Sequence, residues 1–227
     1  MKNNYKHRFF FNRIIDKFER RNRGNLFLLL HNYFYYFKAK LKKISSDKRA
    51  YILEQLKKNS VIVEVGVWKG NFSKQICDIS KPNLLVLVDS WIFNENIRGC
   101  APQVDGEEPL SQKFFDQAKK DTFNKFSNNQ NVHILDLSSL EAASNYRDNF
   151  FDYVYIDAEH TYEAVSKDLK YWYPKLKKNG ILFGDDYYWR EEDDSLSLHR
   201  AYQEFIFTNK IKKWCVFKSQ IKIIKDE

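Results

Sequence analysis

Four short apolar runs, each ending in an acid or a glycine, constrain this chain more than any other feature. They are Val61-Ile62-Val63-Glu64-Val65 before Gly66, Leu84 to Val88 before Asp89, Tyr153-Val154-Tyr155-Ile156 before Asp157, and Gly180 to Phe183 before Gly184-Asp185-Asp186. Val132 to Leu135 is a weaker fifth run. Between them lie helical segments at about 71–79, 111–126, 139–146 and 162–173, with another at 196–207. Apolar strands that alternate with helices fold as a parallel sheet covered on both faces. Trp214 to Phe217 and Ile221 to Ile224, separated by Ser219-Gln220, read as a closing antiparallel hairpin. The pattern predicts an α/β, doubly wound, mostly parallel sheet with that hairpin at its C-terminal end.

A chain of 227 residues is long enough for one such domain and an extension. Residues 1–46 read as the extension and 47–227 as the body, which opens on a helix over 47–58 with Asp47 as its cap. Phe9, Phe10, Phe11, Ile14, Ile15 and Phe18 recur at helical spacing, and Gly24-Asn25 breaks the segment into two helices. Residues 1–43 suit an amphipathic pair laid over the core or over a second copy in a homo-oligomer. They also suit a peripheral contact with an anionic membrane surface. The apolar run from Leu26 to Leu30 is too short to span a bilayer. No secretory signal pattern is evident.

The net charge of +8 sits in that extension. The first 50 residues hold 14 basic and three acidic side chains, +11 net, which leaves −3 for the remainder. A protein that tracks phosphates more often spreads basic residues around its site, so nucleic acid is not the expected partner. Cys77, Cys100 and Cys215 are widely separated and odd in number. They fit a reducing, cytoplasmic setting rather than a disulfide framework or a zinc site.

Chemistry concentrates where the apolar runs end. Glu64-Val65-Gly66-Val67-Trp68-Lys69-Gly70 places one glycine directly after a strand and another at the start of a helix, where backbone can approach a ligand. Trp68 stands where a dinucleotide fingerprint would have its middle glycine. The spacing fits the acid-x-Gly-x-x-x-Gly loop of methyltransferases. Asp89, about 20 residues on, is placed to accept both hydroxyls of a ribose, and Trp91 offers an aromatic face for an adenine. Asp157 ends one strand and Asp185-Asp186 another. Neighbouring strands lie about 4.8 Å apart, so three carboxylates converge at the carboxyl edge of the sheet. They would repel one another, and a hard divalent cation with oxygen ligands would relieve that repulsion. His160, three residues after Asp157, is the first candidate for a general base; it equally suits a structural hydrogen bond at a helix start. Asp157 is an alternative base, and His199 a weaker one.

The run from Phe151 through Asp157-Ala158-Glu159-His160-Thr161-Tyr162 to Val165 resembles a stretch of the class I S-adenosylmethionine-dependent methyltransferases. Within that family it is similar to the macrolide-sugar and aminocoumarin-sugar O-methyltransferases. Asp168-Leu169, Pro174 to Leu182, Gly184-Asp185-Asp186-Tyr187 and Ser139-Leu140-Glu141-Ala142-Ala143 continue the likeness, which covers about residues 50–225. Ala158 and Asn179 replace glycines usual in the family. The resemblance implies a Rossmann-like core. It implies that Glu64, Gly66, Gly70 and Asp89 hold S-adenosylmethionine, with Asp136 and Ser139 near the adenine; Trp68 and Trp91 are further candidate cofactor contacts. It further implies a magnesium ion on Asp157, Asp185 and Asp186. The expected acceptor is a hydroxyl of a sugar, a glycan or a related small metabolite. The basic extension keeps RNA methylation as an alternative, and a non-catalytic scaffold of the same fold is a third. Residues 91–110 and 187–200 are expected to shape the acceptor pocket.

Overall fold

A computed structural model describes residues 49–94, 111–189 and 196–226. The expected helices of the extension, the Asp47 cap, most of the 91–110 loop and the middle of 187–200 lie outside the described residues.

Five strands run parallel at the heart of the sheet: β1 (Val61–Val65), β2 (Leu84–Asp89), β3 (Val132–Asp136), β4 (Phe151–Ile156) and β5 (Leu176–Gly184). The helices between them are α2 (Asn71–Ser80), α3 (Gln112–Phe126), α4 (Ser139–Ser144) and α5 (Tyr162–Trp172), preceded by α1 (Ala50–Leu53). After α6 (Ser197–Thr208) the chain closes with β6 (Trp214–Phe217) and β7 (Gln220–Ile224). The strand order is β3-β2-β1-β4-β5-β7-β6, and β7 is antiparallel to both of its neighbours. This is the Rossmann-like sheet with a C-terminal hairpin that the sequence predicts.

The order decides where a ligand can sit. From β1 the chain steps outward to β2 and β3, then returns to the other side for β4 and β5. The connections leave β1 and β4 in opposite directions, and a crevice opens beyond their carboxyl ends. The strands that flank it are buried on both faces. Val63, Leu85, Val86, Leu87, Val154, Leu182 and Phe183 are all inaccessible to solvent. That is why they read as continuous apolar runs rather than alternating ones.

Two elements differ from expectation. The helix predicted over 47–58 is a single turn, Ala50–Leu53. The Tyr153 hydroxyl donates to the Gln55 carbonyl and accepts from the Lys57 amide, so a side chain from β4 takes over groups the next turn would have paired. Strand β5 begins at Leu176 rather than Gly180, and its register against β4 shifts between Phe151 and Tyr153. Asn179 adopts a left-handed φ of 60° at that irregularity, a conformation asparagine tolerates better than most residues. Among the described residues, no helix is long and apolar enough to cross a membrane.

Candidate functional site

The β1 side of the crevice is built locally. Gly66 leaves β1 at φ 88°, and an added Cβ there would lie 2.0 Å from the Asp157 carbonyl oxygen. The glycine is demanded by the end of β4 packed against it, not by the approach of a ligand. Trp68 follows at φ 54°, and Gly70 caps α2 at φ 67°. Asp89 holds the loop in place: one carboxyl oxygen accepts from the amides of Val67 (2.9 Å) and Trp68 (2.8 Å), the other from Trp91 (2.8 Å). A carboxylate offers about four acceptor positions, so Asp89 has room for one more donor rather than the two hydroxyls expected. Trp91 is also placed differently from expectation. Its ring is 1% exposed, and its indole N–H donates to the Trp68 carbonyl at 2.9 Å. It staples the loop from within and presents no open face to an adenine. Its left-handed φ of 46° turns the chain sharply at that point.

Glu64 lies inside the sheet at 2% exposure, and its Oε2 has no hydrogen-bond partner among the described residues. Burial, above all, pushes its pKa up to about 8. Asp136 pairs in register with Asp89 at the same edge and forms an ion pair with Lys119. Ser139 is engaged by α5. Its hydroxyl donates to Asp168 and accepts from the Trp172 indole at 2.8 Å, which ties α4 to α5.

The β4 side gathers the three aspartates as expected, and a protein cation offsets part of their charge. Arg49 reaches Asp157 through Nη2 and Asp185 through Nε, the latter at 3.1 Å. The Tyr155 hydroxyl approaches the same two oxygens at 3.3 and 3.0 Å. The other oxygen of Asp185 accepts from the Gln220 amide group and from the Asp186 backbone N–H at 2.7 Å. Asp185, 5% exposed, therefore has four donors on its two oxygens and no position left for a metal. Among the described residues, no group of three His, Cys, Asp or Glu side chains is arranged to hold a metal ion. The magnesium site expected on Asp157, Asp185 and Asp186 does not fit this arrangement. The repulsion is real, and a guanidinium answers it.

Burial first, then the charges of Asp185 and Asp186, push the Asp157 pKa up to about 8 against the opposing pull of Arg49. Burial disfavours the Arg49 charge, yet Tyr155, Asp157 and Asp185 hold its pKa above the ordinary guanidinium value. His160 sits at the mouth of this cluster. Its Nε2 is 3.9 Å from Asp157 and 3.7 Å from Asp186, and its ring lies against Trp189 with centroids 5.0 Å apart. His199 packs edge-on against Tyr187, with ring centroids 5.1 Å apart.

The structure thus brings Glu64, Gly66, Asp89, Asp157, His160, Asp185 and Asp186 to one edge. It turns Trp91 and Ser139 into packing and bracing groups. It adds Arg49, Tyr155 and Gln220, which sequence reasoning missed. Tyr155 had a signal: two residues before Asp157 on a strand, it shares that residue's face. Arg49 had none, since it is 108 residues from one partner and 136 from the other.

A family profile described as a methyltransferase domain matches residues 63–187, more than half of the chain. A search of curated protein sequences finds no match. Among solved structures, a candidate S-adenosyl-L-methionine-dependent methyltransferase from Methanococcus maripaludis is similar at a TM-score of 0.54 and 12% identity. That match covers 78% of this chain and 83% of the other. A protein of Corynebacterium glutamicum is similar at a TM-score of 0.53 and 12% identity, with 86% and 97% covered. Spermidine synthase from Thermotoga maritima overlays at 0.47 and 12% identity. There the match takes in 74% of this chain but only about half, 54%, of the synthase.

Proposed function

Because the chain belongs to the methyltransferase domain family, we propose that it transfers a methyl group from S-adenosylmethionine to a hydroxyl of a sugar, glycan or related small metabolite. One observation carries the reading. At the β1–β4 switch point, the loop held by Asp89 packs through Gly66 against the backbone of Asp157, so that loop and the cluster of Asp157, His160 and Asp186 share one edge of the sheet. The β1 side suits the cofactor. A buried carboxyl oxygen without a partner, Glu64 Oε2, is what a cationic amino group would satisfy. Asp89 retains one acceptor position for a ribose hydroxyl.

The bound cofactor supplies a methyl already activated on a sulfonium. The chain's own residues must align an acceptor oxygen with that methyl and remove its proton. His160 is the group best placed to take it. Asp186, 3.7 Å away, stabilises the imidazolium that forms. No step is assigned to magnesium, since the oxygens of Asp185 are already filled. The carboxylates also argue about the acceptor. They repel phosphates, so they favour a neutral hydroxylated molecule over RNA.

Calorimetry with S-adenosylhomocysteine tests the cofactor half, and transfer of a labelled methyl to a panel of neutral sugars and glycans tests the acceptor half. Binding is expected with and without magnesium, followed by label in an alkali-stable ether. A folded protein that binds no S-adenosylhomocysteine under either condition sinks the reading and leaves a non-catalytic scaffold in front.

A further inference from the structure

We propose that Arg49 is a built-in cation that stands in for a divalent metal between Asp157 and Asp185. The assignment deepens the methyl-transfer reading, on which its catalytic meaning rests; the geometry itself does not depend on that reading. One guanidinium meets both carboxylates, through Nε on Asp185 at 3.1 Å and through Nη2 on Asp157. Both acceptors are well buried, with side chains 5% and 14% exposed. The guanidinium carbon lies 5.1 Å from the centroid of Phe72 and 6.0 Å from that of Tyr155, so aromatic faces back the charge. The Tyr155 hydroxyl completes the bridge at 3.0 and 3.3 Å.

Charge and shape explain why an arginine suits this place. A planar guanidinium offers donors in fixed directions and stays charged when half-buried, whereas a hard divalent cation needs six or more oxygens around it. Here Gln220 and the Asp186 amide occupy one oxygen of Asp185, and Arg49 takes the oxygens of Asp157 and Asp185 that face each other, the ones a metal would otherwise use. A single positive charge facing two aspartates also leaves the cluster negative. It therefore lowers the pKa of an approaching hydroxyl less than a divalent ion would. That assigns proton removal to a side chain, and His160 stands 3.9 Å from Asp157.

Titration of the full chain with Mn2+, followed by electron paramagnetic resonance, tests this directly. The wild type is expected to bind no Mn2+ at the cluster, and chelators are expected to leave its activity unchanged. Arg49→Ala should acquire one Mn2+ site, at least about tenfold tighter than any in the wild type. Adding Asp157→Asn in that background should remove it, and Arg49→Lys, which keeps the charge, should not create it. Thermal unfolding shows whether each variant is folded, and Arg49→Gln serves if the alanine variant is not. A wild-type Mn2+ site that Asp157→Asn removes would overturn the proposal. So would a folded Arg49→Ala or Arg49→Gln that gains no site. S-adenosylhomocysteine calorimetry on the same samples keeps the two readings apart: if it fails everywhere, methyl transfer falls while the Mn2+ result still decides the role of Arg49.

Discussion

The two sides of the crevice are assembled in different ways. On the β1 side, Asp89 holds the amides of Val67 and Trp68, and Trp91 donates to the Trp68 carbonyl. Every partner lies within 25 residues. On the β4 side, Asp185 is held by Arg49 from the start of the domain and by Gln220 from its end. The first is a local motif that the backbone sets up as β1 and β2 form. The second exists only once the whole sheet has closed, because β7 must reach β5 before Gln220 can meet Asp185. A local motif can be read in sequence; a site stitched from distant side chains cannot.

The hardest way to break this comparison is at the point where the two sides touch. Gly66 belongs to the local loop, yet its Cα abuts the end of β4. Gly66→Ala forces an alanine into a φ of 88° with its Cβ 2.0 Å from the Asp157 carbonyl oxygen. The strain and the clash together should cost about 3 kcal/mol or more. For a domain of this size that lowers Tm by roughly 6–12 °C. Both S-adenosylhomocysteine affinity and transfer should suffer, since the loop and β4 are pushed apart. A melting temperature within about 2 °C of wild type would mean that the loop yields freely and that the two sides are not packed back to back.

A gentler substitution sharpens the contrast. Trp91→Phe keeps most of the buried ring but loses the indole bond to the Trp68 carbonyl. Thermal unfolding should show a loss of about 1–2 kcal/mol. Calorimetry should show an S-adenosylhomocysteine affinity within about twofold of wild type, since a ring 1% exposed has no face to offer an adenine. An affinity tenfold weaker with unchanged stability would restore the stacking role expected from the sequence.

That residue also shows where sequence reading stopped. The sheet was legible because Leu84–Val88, Tyr153–Ile156 and, apart from Glu64, Val61–Val65 are buried strands and so carry apolar runs. The convergence of Asp157, Asp185 and Asp186 was legible because strand ends in a parallel sheet share an edge. Side-chain direction was not. Trp91 follows an edge aspartate, as a ligand-facing aromatic would, but its left-handed φ turns the chain and the ring is buried inward. Arg49 read as one more charge among the basic first 50 residues, because nothing in its neighbours encodes a partner more than 100 residues away.

The smallest expected effect separates the two sides electrically. Glu64 is buried on the cofactor side with an unpaired Oε2, and its pKa is raised from 4.5 to about 8. At pH 7 the folded protein therefore holds a proton that the unfolded chain has lost. This group's contribution to stability is full below about pH 4.5 and fades as pH rises toward about 8. A cationic amino group brought against Oε2 would favour the carboxylate and expel that proton. S-adenosylhomocysteine binding at pH 7 should then release up to about one proton, seen as a binding enthalpy that changes with the ionisation enthalpy of the buffer. The release should shrink above about pH 8, where Glu64 is already ionised. Glu64→Gln should abolish it, whereas Arg49→Lys on the other side should leave it nearly unchanged. If the proton release survives Glu64→Gln, it comes from the Asp157 side, and the two sides are coupled through charge more tightly than their separate construction implies.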